Sequence, residues 1–421
     1  MSRQRATLAP EVAIIGGGPA GLSAAVALRR LGVGSVLVLE REPAAGGIPR
    51  NSYHTGFGVR DLRSVMTGPA YAARLVRDAR DWRVDVRTAS TVTEWVDERS
   101  CLVTSPEGRL RVDAAAVILA TGARERPRSA RMIPGDRPSG VMTTGQLQNL
   151  VHGRREGSGG QVGVRAVVVG AELVSWSAVL TLREAGCATV MMTTDYDHPE
   201  SYAAVTLPGR ALLRVPVSRR TRVTRIIGRE RVEAVEVMRE DDGKRRLVAC
   251  DTVVLTGDWI PDNELARLRG LDMDAGSRSP VVDTALRTSA EGIFAAGNLL
   301  HPVDTADVAA LDGRHCATQV NAYLAGTPRP STGVRVLAGL GIAWVAPGIV
   351  RPGDPPPARG RLLLWPTERR RLARVVIRQA GRVIDRRSLP WPVSPGRVLR
   401  LPSSVLDDVD PVGGDVTIDL A

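Results

Sequence analysis

The sequence predicts an α/β protein with two Rossmann-like segments and a small β domain at its C-terminal end, and three observations carry that expectation. First, Val12-Ala13-Ile14-Ile15 is an apolar, β-branched run that meets Gly16-Gly17-Gly18-Pro19-Ala20-Gly21, and Leu22-Ser23-Ala24-Ala25-Val26-Ala27-Leu28 continues as a helix. A strand, a tight turn and a helix N-terminus in that order aim backbone N–H groups at a pyrophosphate. Second, the pattern returns about 150 residues later as Ala166-Val167-Val168-Val169-Gly170-Ala171-Glu172-Leu173-Val174-Ser175, with Glu172 and Ser175 at the positions of the second and third glycines. Third, the tail past residue 334 alternates short apolar strands such as Arg374-Val375-Val376-Ile377-Arg378 and Val416-Thr417-Ile418-Asp419 with Pro/Gly turns, which is the pattern of a β domain.

Residues 10 to 42 read as β-α-β: Gly32 ends the helix, and Ser35-Val36-Leu37-Val38-Leu39 forms a second buried strand ending at Glu40. Glu40 lies 19 residues past Gly21, where the fingerprint expects a carboxylate to accept hydrogen bonds from an adenosine ribose. A Gly-rich loop at Gly46-Gly47-Ile48-Pro49-Arg50 precedes a helix from about Pro69 to Arg80. Short strands follow around residues 84–87, 92–96, 101–104 and 110–112 and lead into the apolar run 116–119, which stops at Ala120-Thr121-Gly122-Ala123. Residues 154–163, rich in Gly, Arg and Ser, read as a linker. A second β-α-β begins at Val164, with a helix at Ser177 to Glu184 ended by Gly186 and a strand at 189–192. The strand-then-Gly pattern of 117–122 recurs at Val253-Val254-Leu255-Thr256-Gly257, so the two halves resemble an internal repeat. Gly292-Ile293-Phe294-Ala295-Ala296-Gly297-Asn298 is a further buried strand, followed by a helix from about Asp304 to Leu324, and the Pro/Ser/Thr/Gly segment 327–333 marks a boundary.

Composition narrows the classes. At 421 residues the chain is long enough for two or three domains. No apolar run approaches the roughly 20 residues of a membrane helix. The polar start, Met1-Ser2-Arg3-Gln4-Arg5, runs into the first strand without a signal-peptide pattern, so a cytoplasmic location is expected. A net charge of +12 raises the question of nucleic acid, but the 57 basic residues, all arginine except Lys244, are scattered among 45 acids and form no binding stripe. Cys101, Cys187, Cys250 and Cys316 are far apart in sequence and give no C-x-x-C redox pair or zinc knuckle, and no metal site is read.

Residues 10 to 328 resemble the flavoproteins with two dinucleotide-binding domains, a group that includes the pyridine nucleotide-disulfide oxidoreductases. The match rests on Gly16 to Gly21 with Glu40, on Ala120-Thr121-Gly122, on Thr256-Gly257 and on Gly292 to Asn298. The resemblance implies FAD as cofactor and a second nucleotide domain inserted in the first. Expected bounds are 1–153 and 271–328 for the discontinuous FAD domain, 160–270 for the NAD(P)-like domain and 334–421 for the β domain. A narrower likeness runs through Gly46-Gly47-Ile48, His54-Thr55-Gly56-Phe57-Gly58, Thr67-Gly68-Pro69-Ala70-Tyr71, Ala120 to Pro127 and Asn298 to Asp307. It is to the flavoprotein subunits of amino-acid and opine dehydrogenases and of hydrogen cyanide synthase, and to oxidoreductases associated with glycerol-3-phosphate dehydrogenase. It implies oxidation of a small amine, amino acid or hydroxy acid, or electron transfer beside a second dehydrogenase or iron–sulfur subunit, and not disulfide reduction.

Two departures qualify the likeness. Some relatives carry cysteine where Ser52 stands, and the second turn places Glu172 against a pyrophosphate unless the carboxylate points away, so the sequence leaves NAD(P) open. An NAD(P)H-dependent flavoprotein reductase and a non-catalytic FAD-binding scaffold are the alternatives.

The expected cofactor contacts are Gly16, Gly18, Pro19, Ala20 and Gly21 at the pyrophosphate, and Glu40 with Arg41 at the adenosine end. Gly47 and Ile48 pass over the phosphates or flavin, Ala120, Thr121 and Gly122 form the small-residue turn, and Gly297 with Asn298 meets the ribityl chain or phosphate. The helix opening at Thr305 and Ala306 offers N–H groups to the isoalloxazine edge, worth roughly 0.5 to 2 kcal/mol toward an anionic reduced flavin. Ser52, Tyr53 and His54 form the titratable and hydroxyl cluster of the nearby loop, with His54 the candidate proton-transfer residue. Arg124 and Arg126 are candidates for holding a carboxylate or phosphate.

Overall fold

A computed structural model describes residues 6–153, 162–302 and 304–421, and the linker expected at 154–163 falls largely outside them. The α-helices among the described residues are α1 (Pro19–Arg30), α2 (Gly68–Asp81), α3 (Thr144–His152), α4 (Leu173–Glu184), α5 (Ala203–Leu213), α6 (Glu264–Leu268) and α7 (Ala306–Leu324). No described helix is long and apolar enough to cross a membrane.

The chain forms two compact units, one of residues 1–50, 55–123 and 261–421, the other of residues 51–54 and 124–260. The first contains a parallel sheet ordered Ile293–Ala295, Ala116–Leu119, Val12–Ile15, Val36–Leu39, Asp85–Arg87. The first four strands are buried end to end, as parallel strands covered on both faces must be. The alanine-rich face of α1 packs against α7, where Gly313 is required: a Cβ there would stand 2.0 Å from the Ala20 carbonyl oxygen. A second sheet pairs Ala6–Leu8, Gly108–Asp113, Ser100–Ser105 and Thr91–Trp95.

The tail is β structure. One sheet runs Ile349–Val350, Val334–Ala338, Val416–Leu420, Arg374–Gln379, Arg382–Ser388, and a second runs Ile342–Ala346, Arg361–Pro366, Leu399–Pro402. Their inner faces share a separate apolar core that includes Val336, Leu362, Val375, Ile377, Leu401 and Ile418. This β region belongs to the first compact unit. Buried Asp283 accepts from Arg351 of the tail at 3.1 Å and from Arg287 at 2.9 Å, and Arg287 also pairs with Asp354.

The second unit repeats the parallel plan in the order Val141–Thr143, Thr252–Leu255, Arg165–Val169, Ala188–Thr193, Val217–Ser218. An antiparallel sheet of Thr221–Gly228, Val232–Arg239 and Arg245–Ala249 accompanies it. The expected domain bounds shift accordingly. Residues 124–153 lie with the second unit and not the first, because Val141–Thr143 pairs in parallel with Val253–Leu255. Residues 261–270 lie with the first, where the Trp95 indole donates to the Leu265 carbonyl at 2.9 Å. The helix expected from Ser177 begins at Leu173, because the Ser175 hydroxyl accepts from the Glu172 N–H at 3.0 Å and satisfies the helix entrance.

Candidate active site

The first glycine turn is shaped by close approaches. Gly16 has φ +114°, and a Cβ there would lie 2.3 Å from the Ala120 carbonyl oxygen; one on Gly21 would lie 1.9 Å from the Gly16 oxygen. These two glycines let strand, turn and α1 touch. Gly18 differs: a Cβ there would meet nothing nearer than the Gly47 Cα at 3.9 Å, so its missing side chain leaves room beside the backbone. Gly18 is the N-cap of α1 and gives no side-chain cap, and Pro19 at the first turn has no N–H, so the other first-turn donors are left to a ligand. The open glycine, the uncapped helix entrance and a positive macrodipole end together fit a dinucleotide pyrophosphate.

Glu40 is buried and ties the next strand to this turn. Its Oε2 accepts from the Gly17 N–H at 2.9 Å and its Oε1 from the Glu42 N–H at 2.8 Å. A carboxylate offers about four lone-pair sites, so both oxygens keep capacity for ribose hydroxyls. Gly17, which the sequence reading passed over, is held beneath Glu40: a Cβ would stand 3.0 Å from its Oε2. Arg41 Nη2 bonds Asp262 Oδ2 at 2.9 Å, so its charge is already engaged by a buried acid. Gly47, at φ +64°, faces Gly18, while Ile48 is 59% exposed. Ala120 donates to the Ile15 carbonyl at 2.8 Å, the Thr121 hydroxyl to the Asp262 carbonyl at 2.7 Å, and the Gly122 carbonyl accepts from the Asp262 N–H at 2.9 Å.

The segment after the strand Ile293–Ala295 completes this side of the unit. Gly297, at φ +72°, has no room for a Cβ, which would be 2.7 Å from the Ala20 Cβ. Asn298 Nδ2 donates to the Asp304 carbonyl at 3.0 Å, and its Oδ1 is buried with no hydrogen-bond partner among the described residues. An orphaned buried acceptor is costly unless a ligand serves it, and a hydroxylated ribityl chain has the donors to do so. Thr305 is the N-cap of α7 but its side chain does not cap the helix; the hydroxyl bonds Asp307 instead, and Ala306 opens the helix as expected. The residues of this unit therefore fit FAD.

The loop expected to carry hydroxyl and imidazole chemistry is organised differently. Ser52 is buried and donates to Gln148 Oε1 at 3.2 Å, Asn51 Nδ2 donates to Asn149 Oδ1 at 2.6 Å, and the Tyr53 ring stacks on His152 at 3.9 Å. These side chains are spent on α3, which removes Ser52 and Tyr53 from the expected cluster. Half-buried His54 ends this anchored segment and leads into the strand Thr55–Phe57. Arg126 pairs with Asp258 at 3.3 Å.

The second turn is filled by protein. Gly170, at φ +129°, approaches Thr256, where a Cβ would be 2.2 Å from Oγ1, and the Ser175 hydroxyl lies 2.6 Å from that same Oγ1. The Glu172 carboxylate packs over Gly257, so that a Cβ on Gly257 would fall 2.2 Å from Oε1. Desolvation pushes the Glu172 carboxyl up to about 7, against the pull of the Arg131 charge and hydrogen bonds from Trp259 and the Asp258 backbone, with Glu125 adding repulsion. Glu200 rises to about 8, through desolvation and then the Glu172 charge. Arg131 is fixed by donating to the carbonyls of Arg126 at 2.8 Å, Thr256 at 2.9 Å and Gly257 at 2.7 Å.

Two buried clusters went unread in the sequence. His301 pairs through Nε2 with Asp312, which also meets Arg359 at 3.4 Å; burial disfavours the charged imidazole, but Asp312 holds it above its ordinary value. Tyr71 donates to Asp61 at 2.8 Å, and burial raises both groups. Their central pairs are 10 and 11 residues apart, spacings that match no neighbouring positions of one helix or strand.

A Rossmann-type first unit with an open glycine turn and a second unit of the same parallel plan define a dinucleotide-binding protein. The chain belongs to the pyridine nucleotide-disulphide oxidoreductase family, whose model matches residues 10–313. Members of that family are FAD-dependent oxidoreductases that use NAD(P)H. Hydrogen cyanide synthase subunit HcnB of Pseudomonas aeruginosa is 32% identical over 140 residues, 32% of this chain and 28% of that protein. NADH dehydrogenase of Bacillus subtilis is 26% identical over 298 residues, 68% of this chain and 53% of that protein. The chain thus spans about half or less of the length of these relatives. Among solved structures, the thioredoxin reductase of T. acidophilum has the same fold, with a TM-score of 0.62 at 21% identity over 75% of this chain and 99% of that one. The L-proline dehydrogenase of P. horikoshii aligns with a TM-score of 0.57 at 18% identity, covering 78% of this chain and 58% of that one.

Proposed function

We propose that the chain is a dehydrogenase or electron-transfer subunit acting on a small amine, amino acid or hydroxy acid without a redox-active disulfide. The observation that carries this reading is the state of its cysteines. All four are free and buried. Desolvation raises the thiols of Cys101 to about 12 and of Cys187 and Cys250 to about 11, and raises Cys316 as well. Thiol–disulfide exchange needs an accessible thiolate, and these side chains oppose its formation. They fit a reducing, cytoplasmic setting.

When bound, FAD supplies two-electron acceptance. Gly18 and the α1 entrance would hold its pyrophosphate, Glu40 its ribose, and Asn298, Thr305 and Ala306 its flavin end. His54 is the proposed proton-transfer residue, taking a proton from the substrate as its C–H or C–N bond is oxidised. The likeness to a subunit of hydrogen cyanide synthase supports a partner chain; the partner we propose is a second dehydrogenase or an iron–sulfur subunit. A second reading, an NAD(P)H-dependent flavoprotein reductase, is favoured by the family's use of NAD(P)H and by the NADH dehydrogenase relative.

Anaerobic titration of the purified flavoprotein separates the two. The proposal expects the flavin to stay oxidised with NADH and NADPH and to bleach with one of a panel of amines, amino acids or hydroxy acids. Rapid bleaching by a nicotinamide would overturn it in favour of the reductase. For His54→Ala the expected result is slower reduction by that substrate with FAD retained, and unchanged rates would remove the residue from the reaction.

A further inference from the structure

The turn between the strand Ile293–Ala295 and α7 contains three buried polar atoms with no partner among the described residues: Asn298 Oδ1, His301 Nδ1 and Asp304 Oδ2. The same turn is braced from the C-terminal β region. Arg400 Nη2 lies 2.5 Å from Asp304 Oδ1, on a side chain that is 1% exposed. That oxygen also accepts from the Thr305 N–H at 3.0 Å, and the Asp304 carbonyl accepts from Asn298 Nδ2 at 3.0 Å. A single residue, Asp304, therefore fixes both the amide of Asn298 and the residue that opens α7.

A buried carboxylate needs a countercharge, and removing one partner of such a pair leaves an uncompensated charge. Arg400 is that countercharge, contributed from 96 residues away. Attachment of the β region does not depend on it, because Asp283, Arg287, Arg351 and Asp354 form their own buried network between the tail and the rest of the first unit. Arg359 adds a second link, reaching Asp312 and through it His301.

We propose that Arg400 is a positioning residue of the FAD site, so that the C-terminal β region is a working part of that site and not an appended module. By neutralising Asp304 it holds Asn298 and Thr305 where they meet the cofactor. The inference rests on the assignment of this turn to FAD.

The test is FAD binding to the full-length apoprotein, read by quenching of flavin fluorescence, with thermal melting of each apoprotein as the check on folding. Arg400→Gln is expected to weaken FAD by about tenfold, the size of a lost charge-assisted interaction. Arg400→Lys should recover part of the affinity, and Asp304→Asn with Arg400→Gln should recover most of it by removing the unpaired charge. Arg382→Gln, an exposed change in the same β region, should bind FAD like the parent. Unchanged FAD affinity in Arg400→Gln would overturn the proposal. So would a melting temperature lowered as far as in Arg351→Gln with normal affinity in the folded fraction, because Arg400 would then be structural only. A parent protein that takes up no FAD would overturn the cofactor assignment and the inference together.

Discussion

The turns after Ile15 and after Val169 start alike and end in opposite conditions. Both begin with a glycine at positive φ pressed against the neighbouring strand end, Gly16 on Ala120 and Gly170 on Thr256. The first then keeps Gly18 open and Gly21 tight. The second puts Glu172 over Gly257 and bonds Ser175 to Thr256, so its donors and space are consumed internally. A repeated fold can thus keep its first packing glycine while replacing both the glycine that makes room for a ligand, by Glu172, and the one that lets helix and turn close together, by Ser175. Packing demands and binding demands fall on different residues of one motif.

The largest expected effect breaks the intact member. Gly21→Ala places a methyl group 1.9 Å from the Gly16 carbonyl oxygen, against backbone that cannot swing aside. Separating α1 from the turn should cost roughly 3 kcal/mol and displace the N–H groups that face the pyrophosphate. The expected outcome is a lower denaturation midpoint and loss of the flavin absorption band. A variant as stable and as yellow as the parent would show that the close approach is not what shapes the site.

The second comparison concerns charge. Glu172 and Glu200 have folded-state values of about 7 and about 8, above the ordinary 4.5 of an unfolded glutamate. Between those values the folded chain binds more protons than the unfolded one, so stability is fully present below about pH 4.5 and is lost as pH rises through 7 to 8. Together the two values imply a loss of roughly 4 kcal/mol on passing from pH 6 to pH 9, of which Glu172 carries roughly 1–2 kcal/mol. Glu172→Gln should flatten part of that slope in denaturant titrations at the two pH values. An identical slope in the variant would mean that Glu172 does not gain its proton on folding.

How much of this was legible in sequence follows the range of the interactions. The first turn and the longer parallel strands, such as Val12–Ile15, Val36–Leu39, Ala116–Leu119, Arg165–Val169 and Thr252–Leu255, obey local rules of spacing and β-branched runs, whereas the short Val141–Thr143 and Val217–Ser218 give no such signal. Helix α4 begins four residues before the expected Ser177, because Ser175, at the position of the third glycine, supplies the hydroxyl that accepts from the Glu172 N–H. Helix α3 had a readable signal, the Thr143-x-x-Gln146 capping box, whose side chains bond reciprocally. The fate of Ser52, Tyr53 and Arg126 was not readable, since their partners Gln148, His152 and Asp258 lie about 100 residues or more away. The same holds for Asp304 with Arg400.

The smallest expected effect sharpens the comparison from the other side. If Glu172 and Ser175 are what close the second turn, then Glu172→Gly with Ser175→Gly removes a carboxylate and a hydroxyl from the place where phosphate N–H contacts would form. Arg131 should stay in position, because three backbone carbonyls hold it independently of Glu172. Its charge, no longer opposed by Glu172, would then face an anionic ligand. The double variant should bind NADH or NADPH about tenfold more tightly than the parent in equilibrium titration, a gain of about 1.4 kcal/mol. Two glycines alone do not supply the full donor set, so a larger gain is not expected. Complete indifference would place the obstacle elsewhere in the second unit.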